Sequence, residues 1–180
     1  MPALYTIRRA TGSDAQRVCD IYNWYVLHTA ITFETEAVHF DEMQRRIREK
    51  LDTHDWLVAD IAGGIVGYAY YGAFRPRAAY SHTVESTIYI AAEFTGKGIG
   101  AHLYSQLIRS ASEKGFREMI GVIALPNQAS IKLHTKLGFR ESGRLRDVGQ
   151  KFGKYIDIAL WQLRVASEAP SVDQTKVTLN

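Results

Sequence analysis

The sequence predicts an α+β fold, a single mixed α/β domain with a central, mostly antiparallel sheet flanked by helices. Three features lead there. Its 180 residues, 46% of them hydrophobic, suit one compact core rather than two domains or a disordered chain. Strand-like and helix-like stretches interleave without an internal repeat. Most strands come before the one glycine-rich loop, in the order strand, two helices, a run of antiparallel strands, then strand, loop, helix, strand, helix and two strands.

Residues 5–8 read as a short first strand, and Ser13 or Asp14 caps a helix that runs to about His28. The stretch "TAITFETEAV" is irregular. From Asp41 a second helix sets Phe40, Met43, Ile47 and Leu51 at near-helical spacing beside a charged face. Two antiparallel strands joined around Gly63-Gly64 account for "WLVADIAGGIVGYAYYG". A loop, "AFRPRAAYSH", leads into the strand "TVESTIYIA". Behind the glycine loop a helix over 100–114 carries Leu103, Leu107 and Ile108, and "REMIGVIAL" is a buried strand. Pro126-Asn127 opens a short helix that stops at Gly138, a C-cap glycine. Strands near 139–147 and 155–163 close a domain over 1–163, followed by a polar, aperiodic C-terminal tail over 164–180.

Composition narrows the function. The 22 basic residues are interspersed with 19 acidic ones, which favours a small anionic ligand over nucleic acid. No run approaches the roughly 18 apolar residues of a membrane span. The single cysteine, Cys19, and a first segment "MPALYTIRRA" without a signal-peptide apolar run lead us to expect a cytoplasmic protein with no membrane role.

The loop "AEFTGKGIGAHL" sets three glycines within five residues directly before a helix. Close glycines let backbone N–H groups turn toward a ligand, and the helix adds its positive N-terminal end, so a diphosphate fits. A Walker loop would need Gly-Lys-Ser/Thr, but Lys97 lies between glycines and Gly100 precedes Ala101-His102. A dinucleotide fingerprint would sit on the first strand-to-helix turn, whereas these glycines follow four predicted strands at a spacing of two. Alone, the loop is equally a tight turn without a ligand.

Taken with the later stretch "LPNQASIKLHTKLGFRESG", the loop resembles the GNAT N-acetyltransferases, whose acetyl-CoA motif reads Arg/Gln-x-x-Gly-x-Gly/Ala between a strand and a helix. The matching residues are Thr95, Gly96, Lys97, Gly98, Ile99 and Gly100, with Thr95 where Arg or Gln is usual. "TFETE", "TVESTIYI" and "GQKFGKYIDIALWQL" extend the resemblance to the phosphinothricin/methionine sulfoximine acetyltransferase branch, over residues 5–163. It implies a GNAT fold with a splayed strand pair, acetyl-CoA as cosubstrate, no metal, a small-molecule amino-acid substrate acetylated on its α-amino group, and a homodimer. A same-fold enzyme acting on a protein N-terminus or another small amine, and a non-catalytic acetyl-CoA sensor, stand as alternatives.

Alternation along "TVESTIYI" puts Thr83, Glu85, Thr87 and Tyr89 on one face and Val84, Ser86, Ile88 and Ile90 on the other, mostly apolar, core face. An amine arrives protonated and must lose a proton before attacking a thioester, so Glu85, which also aligns with the family's base, is the candidate general base. Its plain reading is an ordinary strand glutamate. His134 lies three residues after Ile131 and three before Leu137, facing inward. It is either a satisfied core histidine or, as the branch implies, an aid to proton transfer or substrate orientation. In "FRPRAAY", Arg75 and Arg77 suit bidentate grip on a free carboxylate, with Tyr80, Tyr89 and Thr87 as polar neighbours and Phe33 as an apolar wall. Asn127 is a helix cap that the resemblance also makes a cofactor contact, and backbone near Ile88, Tyr89 and Ile90 is implied to pair with pantetheine. Cys19 reads as packing. The histidines at 28, 39, 54, 82 and 102 show no metal-ligand spacing.

Overall fold

A computed structural model describes residues 5–165, so the expected tail lies, from residue 166 onward, outside the described residues. The chain runs β1 (Thr6–Arg9), α1 (Ala15–His28), α2 (Phe40–Thr53), β2 (Trp56–Ile61), β3 (Gly64–Ala73), β4 (Thr83–Ile90), α3 (Ile99–Glu113), β5 (Glu118–Ala124), α4 (Gln128–Lys136), β6 (Arg140–Lys151) and β7 (Lys154–Arg164). One seven-stranded sheet, ordered β1-β2-β3-β4-β5-β7-β6, contains all these strands. Its neighbours are antiparallel except for the parallel pair β4 and β5, which the α3 crossover makes possible.

Both faces of the sheet are covered. Helices α1 and α2 bury Val18, Ile21, Val26, Met43 and Ile47 against Trp56, Tyr68 and Tyr89. On the other face, α3 packs Leu103, Tyr104 and Leu107 on Val84, Met119, Phe139 and Trp161. Each fully buried aliphatic side chain contributes about 1.5–3 kcal/mol relative to exposure, which sets the helices in place on the strands. Ion pairs add direction: Arg8 bridges Asp14 and Asp60, and the buried Asp55 meets Arg9 and Lys114. The face carrying Thr83, Glu85, Thr87 and Tyr89 therefore lies under α1 and α2, a tertiary covering that strand alternation alone does not reveal.

The β2–β3 turn falls one residue earlier than the glycine pair suggested. Ala62 and Gly63 both have positive φ, 51° and 86°, while Gly64 already pairs with Ile61 as the first residue of β3. A two-residue hairpin loop needs left-handed backbone at both central positions, and glycine accepts it most readily.

One irregularity opens the sheet. The β4–β5 ladder runs from Thr83↔Glu118 to Ser86↔Gly121 and stops, although β4 stays paired to β3 as far as Ile90 and β5 to β7 as far as Ala124. From Thr87 onward the two strands diverge, forming the expected splayed pair.

Candidate functional site

A cavity of about 400 Å³ lies in the fork, lined by Tyr25 and Ile31, by Ile88, Tyr89 and Ile90, by the 94–101 loop and by Asn127 and Ser130 of the α4 entry. Its narrow continuation, about 90 Å³, reaches Ser86, Thr87, Tyr104 and His134. The cavity's wall along β4 is a strand edge without a strand partner. Ala91 N–H donates to Val66 O, and the two-residue period of the ladder then turns the backbone groups of Ile88 and Ile90 away from β3, toward the opening. Of these, the Ile90 carbonyl accepts from the Tyr25 hydroxyl at 2.6 Å. The backbone of Tyr89 faces β3, and its ring packs against those of Tyr22, Tyr25 and Tyr68.

At the loop, Gly96 and Gly98 hold φ of 74° and 82°, and Gly98 is the N-cap of α3. Left-handed backbone at two alternate positions curls the chain so that successive N–H groups face one concavity, ahead of the positive end of a 15-residue helix. A Cβ at Gly100 would meet only Ile90, Leu133 and Ile88, at 3.6–3.9 Å, an ordinary contact. Thr95 turns its hydroxyl back onto Ala92 O at 2.9 Å, and Lys97 sits 4.8 Å over the Phe94 ring. Asn127 caps α4 through its Oδ1, which accepts from Ser130 N–H. A helix-headed concavity of N–H groups joined to an elongated, largely apolar cleft fits the diphosphate and pantetheine arm of a coenzyme A thioester.

At the narrow end, His134 is 4% exposed. Its Nδ1 lies 2.8 Å from the Ser130 carbonyl, which can only accept, so Nδ1 carries the proton and Nε2 is the acceptor. The Tyr104 hydroxyl lies 3.2 Å from Nε2, to which it can donate, and 2.6 Å from Ser86 Oγ, whose own hydroxyl also reaches the Ile120 carbonyl at 3.2 Å. Burial pushes the His134 pKa down and the Tyr104 pKa up, so the imidazole is neutral and the phenol protonated at neutral pH. The ring comes up against β5 because residue 121 is glycine: a Cβ there would fall 2.5 Å from Nε2.

Glu85, on the opposite sheet face from Ser86, is half-buried, and burial raises its pKa above the usual glutamate value while nearby Lys50 and Arg75 oppose the rise. Thr87, two residues along the same face, lines the narrow cavity. Arg75 is exposed with its guanidinium 5.0 Å from the Phe74 ring, on which Tyr80 also packs edge-on. Arg77 is exposed at the start of the short turn Ala78–Tyr80. Phe33 covers Gly149 of β6 from the 29–38 segment, which the buried Lys151 Nζ also ties down by donating to Thr32 O at 2.9 Å. The geometry thus gathers the glycine loop, Asn127 and His134 around the cleft and sets Arg75 near Glu85, whereas Glu85, Arg75, Arg77 and Phe33 are not among the residues that line it. Cys19 is buried and donates to Val38 O, a packing role.

Tyr104, Ser86, Tyr25, Ile31 and Lys50 did not stand out in the sequence. For Tyr104 a signal existed: it shares the buried stripe of α3 with Leu107 and Ala111, where a phenol must find a hydrogen-bond partner.

Comparison with known proteins agrees with this geometry. A family model described as an acetyltransferase (GNAT) domain matches residues 7–160. The phosphinothricin N-acetyltransferase of Streptomyces viridochromogenes is 38% identical over 164 residues, covering 91% of this chain and 90% of that protein. An L-methionine sulfoximine/L-methionine sulfone acetyltransferase of Salmonella typhimurium is 35% identical, covering 91% of this chain and 96% of its own length. Among solved structures, a GNAT superfamily phosphinothricin acetyltransferase from Sinorhizobium meliloti in complex with AcCoA superposes with a TM-score of 0.87 at 37% identity, over 91% of this chain and 89% of that one.

Proposed function

The chain belongs to the GNAT acetyltransferase family, and from that premise we propose that it moves the acetyl group of acetyl-CoA onto the α-amino group of a small amino-acid analogue such as phosphinothricin, methionine sulfoximine or methionine sulfone. The observation that carries this reading is the fork between β4 and β5, which joins a helix-headed glycine concavity to a narrow end holding Thr87, Tyr104 and His134.

Acetyl-CoA supplies an activated thioester. The N–H groups of Thr95 to Gly100 would hold its diphosphate, while Asn127, the backbone of Ile88 and the N–H of Ile90 would meet the pantetheine amides. Glu85 takes the proton from the incoming ammonium; held above the usual carboxylate range by burial, it is a stronger base than a solvated glutamate. Neutral His134 and protonated Tyr104, joined through Nε2, hold a proton at the end of the cleft where a thiolate must depart. Arg75 and Arg77 grip the acceptor carboxylate, Tyr80, Tyr89 and Thr87 present hydroxyls, and Phe33 forms an apolar wall.

Two copies are read as pairing through the outer hairpin, whose edge strand β6 and partner β7 expose Leu145, Val148, Phe152 and Tyr155 together. The catalytic domain is taken as residues 1–163. No helix among the described residues is long and apolar enough to cross a membrane, and we place the enzyme in the cytoplasm, where lone Cys19 stays reduced.

A thiol-release assay tests the reading. Methionine sulfone or phosphinothricin should outpace a short peptide, and Glu85→Gln should lower turnover by about 10²–10⁴-fold with acetyl-CoA affinity retained. Preference for the peptide would reassign the acceptor to a protein N-terminus. Tight acetyl-CoA binding without release on any amine would make the protein a sensor.

A further inference from the structure

Gly72 of β3 pairs directly with Glu85 of β4, so both residues present the same face of the sheet. In place of a side chain at Gly72 stands the end of Lys50, from the last turn of α2: a Cβ on Gly72 would collide with Lys50 Nζ and lie 3.0 Å from its Cε. Directly opposite residues of an antiparallel pair have Cβ positions about 4.5–5.5 Å apart. The ammonium is therefore a near neighbour of the Glu85 carboxylate, yet the two form no ion pair within 4.0 Å. Among the described residues Lys50 makes no ion pair and no side-chain hydrogen bond, although it is half-buried. Of the other α2 cations near this end, Arg46 is bound to Glu34 and Glu42, and Arg48, exposed, donates to Gln44 Oε1.

Charge balance states what is missing. Two cations, Lys50 and Arg75, act on one carboxylate, Glu85. An acceptor with a neutral side chain brings only its α-carboxylate, which the two loop arginines suffice to hold. An acceptor with a second anion on its side chain brings the partner that Lys50 lacks. Resting on the α-amino-acid reading above, we propose that Lys50, admitted by Gly72, is the residue that selects acceptors carrying a second anionic group, a phosphinate or carboxylate, over those with a neutral side chain.

The test compares kcat/KM for phosphinothricin and for methionine sulfone in the wild type, Lys50→Gln, Lys50→Arg and Gly72→Ala. Removing one cation from a partly exposed charge pair should lower the phosphinothricin-to-methionine-sulfone ratio by about tenfold in Lys50→Gln. Lys50→Arg should keep most of the ratio. Gly72→Ala retains every charge but displaces the ammonium, so it should lower the ratio in the same direction. An unchanged ratio in both Lys50→Gln and Gly72→Ala overturns the role of Lys50 while leaving the acetyltransferase reading intact. Failure of the wild type to acetylate either acceptor removes the α-amino-acid reading and this inference with it.

Discussion

Gly121→Ala adds one methyl group at the point where β5 meets His134. The new Cβ would lie 2.5 Å from Nε2 and 2.8 Å from Cδ2, where ordinary contact begins at 3.4 Å. The imidazole must then retreat by about 0.9 Å, and it has little room. Tyr104, Phe139 and Trp161 enclose it at centroid distances of 5.2, 4.9 and 6.2 Å. Overpacking of this kind costs about 1–3 kcal/mol. In a chain of this size each kcal/mol moves Tm by roughly 2–4 °C, so a fall of about 2–12 °C is expected. Retreat also disturbs the 3.2 Å Tyr104–His134 hydrogen bond, and a misplacement of about 1 Å in a reacting constellation lowers turnover by on the order of 10²-fold. Calorimetry and thiol release measure the two effects. A double-mutant cycle with His134→Ala isolates the collision, because removing the ring should abolish most of the cost of Gly121→Ala. A variant with unchanged Tm and unchanged turnover would refute the tight seating of the ring and the use made of it.

The pH dependence of stability reports on Glu85. Its folded-state pKa is raised by burial above the ordinary 4.5, so the neutral acid is favoured in the fold and the contribution is lost as pH rises through the folded value. Glu85→Gln should therefore melt higher than the wild type at pH 7–8, with the gain shrinking toward zero as pH falls to about 4.5; a constant difference would contradict this. In the loop, Gly98→Ala forces a side chain onto φ of 82°, costing about 1–2 kcal/mol and raising KM for acetyl-CoA, while Gly100→Ala should change neither Tm nor KM appreciably. Thr95→Arg restores a guanidinium beside the diphosphate concavity. It should lower KM for acetyl-CoA at low salt, and the gain should fade as ionic strength rises.

What the sequence could disclose was whatever depends on neighbours in the chain. The spacing of Gly96, Gly98 and Gly100, the cap at Asn127 and the alternation of "TVESTIYI" are all local; the loop and the cap stand where expected, while along β4 the buried alternation holds only to Ser86, beyond which Tyr89 is buried and Ile88 and Ile90 are partly exposed. Local too is the hairpin, although the turn needed the backbone angles of Ala62 and Gly63 to fix its position. The rest depends on contacts between distant segments. Ser86, Tyr104 and His134 form their chain only because α3 and α4 pack on the same side of the sheet, at separations of 18 and 30 residues. Lys50 comes to lie beside Glu85 through its seat over Gly72 and the register of β3 on β4, which alternation within either strand does not determine. Tyr89 illustrates the same limit, since its strand face looked open until α1 and α2 were laid over it.

The fork divides labour along the chain as well as in space. Residues 95–134 supply the loop, the α4 cap and the imidazole of the proposed donor side, whereas Lys50 on α2, Arg75 in the loop after β3 and Glu85 on β4 come earlier. The two sets meet through the short ladder from Thr83↔Glu118 to Ser86↔Gly121 and through the packing of α3 on the earlier strands. Substitutions at Lys50, Arg75 and Glu85 can therefore retune which amine is accepted without changing a residue that lines the proposed coenzyme seat. One frame of this kind can drift among acceptors over evolutionary time while its acetyl supply stays constant.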